Sequence, residues 1–152
     1  MRTIPDLEPY YGCGDAELLG LAPLAVGFVR RPSFPTGPTP KGFAQQLLAF
    51  CLPEHLVCTA PGPLHCPLPD CQGPMGPIKL GDRTVTLERG ELRALGEDDI
   101  FAAPSLIYHL VTAHHYRPPP EFIDAVLQGP EPGSAEHRLL IHTLNRGGRQ
   151  AR

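Results

Sequence analysis

Two short clusters of metal-ligand residues, far apart in sequence, constrain this chain more than anything else in it. The first is His65-Cys66-Pro67-Leu68-Pro69-Asp70-Cys71 and the second is His109-Leu110-Val111-Thr112-Ala113-His114-His115. A tetrahedral zinc ion takes four donors from Cys thiolate and His imidazole, and structural sites draw them as closely spaced pairs. Four residues separate Cys66 from Cys71, and four separate His109 from His114. Pro67 and Pro69 stiffen the cysteine turn. The expected ligand set is Cys66, Cys71, His109 and His114, with His115 as the alternative to His114 and Zn2+ as the structural ion. The chain between must then leave a turn and come back as a helix.

That intervening stretch carries the clearest β signal. Val85 and Leu87 alternate with Thr84, Thr86 and Glu88, which gives a strand with one buried face. Gly81-Asp82 and Arg89-Gly90 are turn dipeptides. A meander over 78–80, 83–88 and 91–95 is expected. After it, Pro104 is acceptable at a first helical position, and Leu106, Ile107, Leu110 and Val111 make an apolar face that the prolines at 118–120 terminate. On a regular helix, residues five apart point about 140° from one another. The helix should therefore tighten or unwind near His114.

The order of cysteine turn, β-hairpin and histidine helix resembles a Cys2His2 zinc finger, over residues 66–115. Here 37 residues lie between Cys71 and His109, against roughly 12 in a DNA-reading finger. Leu106 to Ala113 also carries no Arg or Lys. The resemblance thus implies metal binding at Cys66, Cys71, His109 and His114 and does not imply DNA reading. Residues 103–126 are similar to stretches of small bacterial proteins of uncharacterised activity, a likeness that implies no reaction.

Elsewhere the chain is punctuated by 20 prolines and 16 glycines, so short elements and ordered loops are expected. Asp15 can cap a turn of helix over Leu18 and Leu19 that Gly20 ends. Residues 24–29 suit a short buried strand, and 56–59 another. A helix from Lys41 carries Phe43, Leu47, Leu48, Phe50 and Cys51 and stops at Pro53. Further helices are expected over Phe122, Ile123, Val126 and Leu127, closing at Gly129, and from Ser134 through Leu140, Ile141 and Leu144 to Gly147.

At 152 residues, with 41% hydrophobic composition, the chain fits one domain able to bury a core. The expected class is α+β: an antiparallel meander packed with C-terminal helices and stapled by zinc. Its zinc-binding core is placed at about 58–128, after an N-terminal extension 1–57 and before a C-terminal helix and frayed basic tail, 129–152. A net charge of −3 argues against a main role on nucleic acid, which rewards a dense basic face. No apolar run is long enough for a membrane span. The N-terminus has no apolar signal core, and five cysteines make an odd count for a disulfide framework. Reduced thiols in the cytoplasm are expected. Cys51 and Cys58 are read as core cysteines, and His137 with His142 as a solvated helix face.

A catalytic zinc needs an open position and a base. His109, His114 and one Cys, with Glu121 or Asp124 as base, would meet that count, yet no His-Glu-x-x-His is present. Glu121 and Asp124 suit the start of the next helix instead. Gly12-Cys13-Gly14 could present a reactive thiol, but nothing in the sequence places a histidine beside it. The favoured function is a non-enzymatic, zinc-stabilised partner of another protein or accessory factor. A zinc-dependent hydrolase or nuclease, and nucleic-acid binding through the basic tail 146–152, are the alternatives. The proline-rich loop 32–40 and the segment 116–120 are read as rigid exposed connectors.

Overall fold

Two antiparallel strands, β4 (Glu91–Leu95) and β5 (Ile100–Pro104), form the centre of the fold in the computed structural model, which describes residues 3–71, 73 and 75–150. Their side chains alternate across the sheet, as period-two geometry requires. Leu92, Ala94, Phe101 and Ala103 enter the main core, while Ala102 joins Tyr10 and Ala25 on the opposite face. Arg93 also faces that second layer and is wholly buried. The strands are joined by a turn closed from the Gly96 N–H to the Asp99 carbonyl, 2.8 Å.

Strand β1 (Leu24–Ala25) pairs with β5 in parallel, so the sheet order is β1-β5-β4. β1 is much shorter than the expected 24–29. Gly27 turns the chain with φ of 80°, and a Cβ there would lie 2.9 Å from Ile107 Cδ1. Only glycine meets both conditions without strain.

The expected meander is split between two sheets. β2 (Ile78–Leu80) and β3 (Arg83–Val85) make a separate hairpin. Beyond Val85 the chain turns away, and the Leu87 N–H bonds to the Met75 carbonyl at 2.8 Å. The edge of β4 that β3 would have used is taken by Val57, which exchanges two backbone bonds with Glu91 at 2.8 and 2.9 Å. The strand expected over 56–59 is this single bridge. The α+β class stands.

The helices are amphipathic covers. α1 (Asp15–Leu19) ends at Gly20 as expected, and Gly14 precedes it. α2 (Phe43–Phe50) buries Phe43, Leu47, Leu48 and Phe50 against the helices over 107–114 and 120–128, and a short 3-10 turn at Pro53–His55 follows it. α3 (Ile107–His114) begins later than Pro104 because Pro104 closes β5. The intervening Ser105 donates its N–H to the Gly90 carbonyl at 2.9 Å and its hydroxyl to the Glu88 carbonyl. α4 (Pro120–Gln128) starts on proline, where a missing N–H costs nothing, and buries Phe122, Ile123, Ala125 and Val126.

α5 (Ala135–Gln150) runs past the expected stop at Gly147, and Ala151 and Arg152 of the basic tail lie outside the described residues. Leu140, Ile141 and Leu144 pack with Val57 in a second apolar cluster. His137, expected on a solvated face, is fully buried beneath Phe50, whereas His142 is exposed. Tyr116, expected in an exposed connector, is also fully buried and donates its hydroxyl to Asp6 Oδ2 at 2.7 Å.

Candidate metal centre

The cysteine turn is anchored by Leu68, which is buried in the main core. That burial, with Asp70 in the left-handed region at φ of 59°, turns Cys66 and Cys71 towards α3. His109 lies on the buried side of α3 and His114 is its last residue. His115 then adopts φ of 58°, and the Tyr116 N–H closes back on the Leu110 carbonyl at 3.1 Å. The expected unwinding thus falls one residue beyond His114.

Four donor atoms converge here, all within 4.8 Å of one another: the sulfurs of Cys66 and Cys71 and the ring nitrogens of His109 and His114. Cys71 Sγ lies 3.2 Å from His109 Nε2 and 3.3 Å from His114 Nε2. Cys66 Sγ is 3.5 Å from His114 Nε2, and the two Nε2 atoms are 3.2 Å apart. With bonds of about 2.3 Å to sulfur and about 2.0 Å to nitrogen, a tetrahedral ion sets S and N about 3.5 Å apart and two nitrogens about 3.3 Å apart. The donor set and its spacing therefore fit a metal ion. His115 is exposed and outside the group, as is His65. Neither Glu121 nor Asp124 belongs to it, and both are exposed.

Burial disfavours the charged forms of Cys66 and His109. Burial pushes the Cys66 thiol up, opposed by the Leu68 amide and reinforced by Cys71. Burial pushes His109 down, and the neighbouring His114 adds to that. A divalent ion bound here would have to displace the Cys66 thiol proton, and His109 would already favour the neutral form that ligates. Beside His109, Met75, Ile78, Leu87 and Tyr108 line an apolar cleft of about 280 Å³.

The other cysteines separate cleanly. Cys51 is the expected core thiol: it is buried under Ser105 and pushed up to about 12 by that burial. Cys58 is exposed and bonded to Cys13, which corrects both its assignment to the core and the expectation of five reduced thiols. Neither the Cys13–Cys58 bond nor its neighbourhood was legible from spacing. The Glu91 carboxylate lies within 4.8 Å of both sulfurs, accepts a hydrogen bond from the Tyr10 hydroxyl and pairs with Arg93 at 2.9 Å. Arg93 is in turn held by Asp15. An arginine between Leu92 and Ala94 in a strand was the one available signal for this buried ionic chain.

A family model described as a domain of unknown function, DUF7919, matches residues 2–127. The chain belongs to the DUF7919 family. The DUF7919 match takes in all four converging donor residues and stops near the end of α4, so α5 lies beyond it. Comparisons with curated proteins and with solved structures each found no match.

Proposed function

We propose that Cys66, Cys71, His109 and His114 bind one structural zinc ion, and that the protein is a non-enzymatic, zinc-stabilised module that binds another protein or serves as an accessory factor. The supporting observation is a complete set of four protein donors at tetrahedral spacing. A catalytic zinc keeps one position for water and a base nearby, whereas this group has two sulfurs, two nitrogens and no carboxylate among the described residues. Zinc suits the mixed soft and imidazole donors. It would tie the turn before the hairpin to the C-terminal end of α3. Exposed apolar side chains at Tyr11, Leu18, Leu21 and Leu139 offer surface for a protein partner. No helix among the described residues is long and apolar enough to cross a membrane, and the cytoplasm is the proposed compartment, with the chain acting as one domain.

Elemental analysis of the purified protein, with cobalt substituted for zinc, tests the site. One equivalent of metal, a tetrahedral cobalt spectrum with thiolate charge-transfer bands, and loss of both in Cys66→Ser and His109→Ala are expected. Retention of a full equivalent by both variants would remove the assignment. A water in the coordination shell together with hydrolysis of phosphodiester or peptide substrates would establish the zinc hydrolase or nuclease instead.

A further inference from the structure

We infer that Cys13 and Cys58 form a thiol–disulfide switch that locks and releases the N-terminal strap of residues 10–20. The strap is held at its start by the Tyr10 ring stacked on Phe28, 4.6 Å between centroids, and by the Tyr10 N–H to the Pro23 carbonyl at 2.8 Å. Further along, Asp15 meets Arg93, and Leu19 packs against the cluster of Val57, Leu140, Ile141 and Leu144. Between these anchors the backbone is Gly12-Cys13-Gly14, which on its own has little reason to stay in one conformation. The bond to Cys58 supplies that reason. It joins the strap, across 45 residues of sequence, to the residue next to the Val57–Glu91 bridge.

The two sulfurs have unequal surroundings. Cys58 is exposed, whereas Cys13 is partly buried against two apolar clusters. A thiolate from a dithiol reductant therefore reaches Cys58 Sγ. The new S–S bond forms there, the Sγ–Sγ bond to Cys13 breaks, and Cys13 leaves as a thiolate that takes a proton from water. The second thiol of the reductant then attacks the mixed disulfide, Cys58 departs and is protonated, and the reductant becomes a disulfide. Two electrons and two protons have passed to the protein. Glutathione disulfide reverses the change: one protein thiolate attacks it to give a protein–glutathione mixed disulfide and one glutathione thiol, and the other cysteine then closes the Sγ–Sγ bond and releases the second. In the cytoplasm proposed above, on which this reading rests, disulfides are usually transient and catalytic or sensing. Cys66 and Cys71 take no part: they sit with two imidazoles in the other cluster. The inference stands whether or not that cluster holds zinc.

Reduction would loosen the strap around Cys13, beside the 69% exposed Tyr11, while Asp15 stays paired with Arg93.

Hydrogen-exchange mass spectrometry on the full chain tests this, after equilibration with glutathione disulfide or with tris(carboxyethyl)phosphine and with metal content followed in parallel. Differential alkylation should map the oxidised bond to Cys13 and Cys58. Reduction should raise exchange across residues 11–14 at least tenfold, with metal content and exchange in α3 unchanged. Cys58→Ser should show the fast pattern in both buffers. Alkylation of Cys13 as a free thiol after oxidation would overturn the inference, and so would identical exchange of the strap in the two buffers. Uptake of a second metal equivalent on reduction would also overturn it, making Cys13, Cys58 and Glu91 a metal site. Wild-type protein in the two buffers decides the matter if the variant does not fold.

Discussion

Asp15 and Arg93, 78 residues apart in sequence, face each other as a two-pronged ion pair closed off from solvent. Arg93 Nε donates to one carboxylate oxygen and an Nη to the other, both at 2.9 Å. Desolvation opposes the guanidinium charge, and Asp15 with Glu91 more than restores it, so Arg93 stays protonated. The charge is held by α1 on one side and its own strand on the other, and removing one partner leaves the other buried and alone. Asp15→Ala should therefore lower stability by about 3–5 kcal/mol, read as a shift in the denaturant midpoint. The double replacement Asp15→Leu with Arg93→Met should cost clearly less than the single one. Equal losses would show that packing, and not charge, holds the strap.

His137 gives the fold a dependence on acid. Its Nδ1 accepts the Gly133 N–H at 3.3 Å, and its Nε2 lies 3.1 Å from the Arg93 carbonyl, to which it must donate. Both nitrogens are satisfied by neutral imidazole. Burial pushes the group below its ordinary 6.5, partly countered by the Arg93 carbonyl, and nearby His55 pushes it further down. The unfolded chain then binds this proton more readily than the folded one. Stability from His137 is fully present above about pH 6.5 and is lost as pH falls from there towards the lower folded value. Urea midpoints measured between pH 7.5 and 5 should fall, and His137→Gln, which keeps a donor and an acceptor, should flatten the slope. An unchanged slope in that variant would assign the dependence to other groups.

Gly27→Ala should destabilise although it adds a single methyl group. At φ of 80° an L-residue is strained, and its Cβ would stand 2.9 Å from Ile107, at the start of the helix that carries His109. A loss of about 1–3 kcal/mol is expected, and it should shrink when Ile107→Val makes room. Thermal unfolding of the two single variants and the double variant measures the coupling.

The adjacent histidines at the end of α3 should behave oppositely. His114→Ala removes a donor from the converging group, whereas His115→Ala removes an exposed side chain outside it. On the proposed zinc reading, the first variant should lose metal at least tenfold more readily to a chromogenic chelator, and the second should match the parent. The reverse result would move the fourth ligand to His115.

Much of this arrangement was legible because it is local. Phe43, Leu47 and Leu48 mark α2 by period alone, Gly129 marks the end of α4, and the two ligand pairs announce themselves by spacing. What was hidden depends on partners distant in sequence. β5 is apolar on both faces, so it shows no alternation, and Pro104 reads equally well as the start of a helix. Leu87 alternates like a strand residue, yet the edge it would have paired with is occupied by Val57. His137 shares its spacing with His142, and only the carbonyl of Arg93 above it distinguishes a buried imidazole from a solvated one. Cys13 and Cys58 carry no common motif at all.

Tyr116 sits immediately beyond the paired histidines, and its hydroxyl is held by Asp6, which also accepts the Gly27 N–H at 3.0 Å. The Gly37 N–H meets the His115 carbonyl, and the Arg117 N–H meets that of Pro35, at 3.0 and 2.9 Å. The histidine half of the ligand group is therefore a fixed jaw, braced from the N-terminus and from the proline loop before any ion arrives. The cysteine half has fewer braces, chiefly the buried Leu68 between its two thiols. On the proposed zinc reading, loss of the ion should therefore loosen the turn around Cys66 and Cys71 first and leave α3 standing.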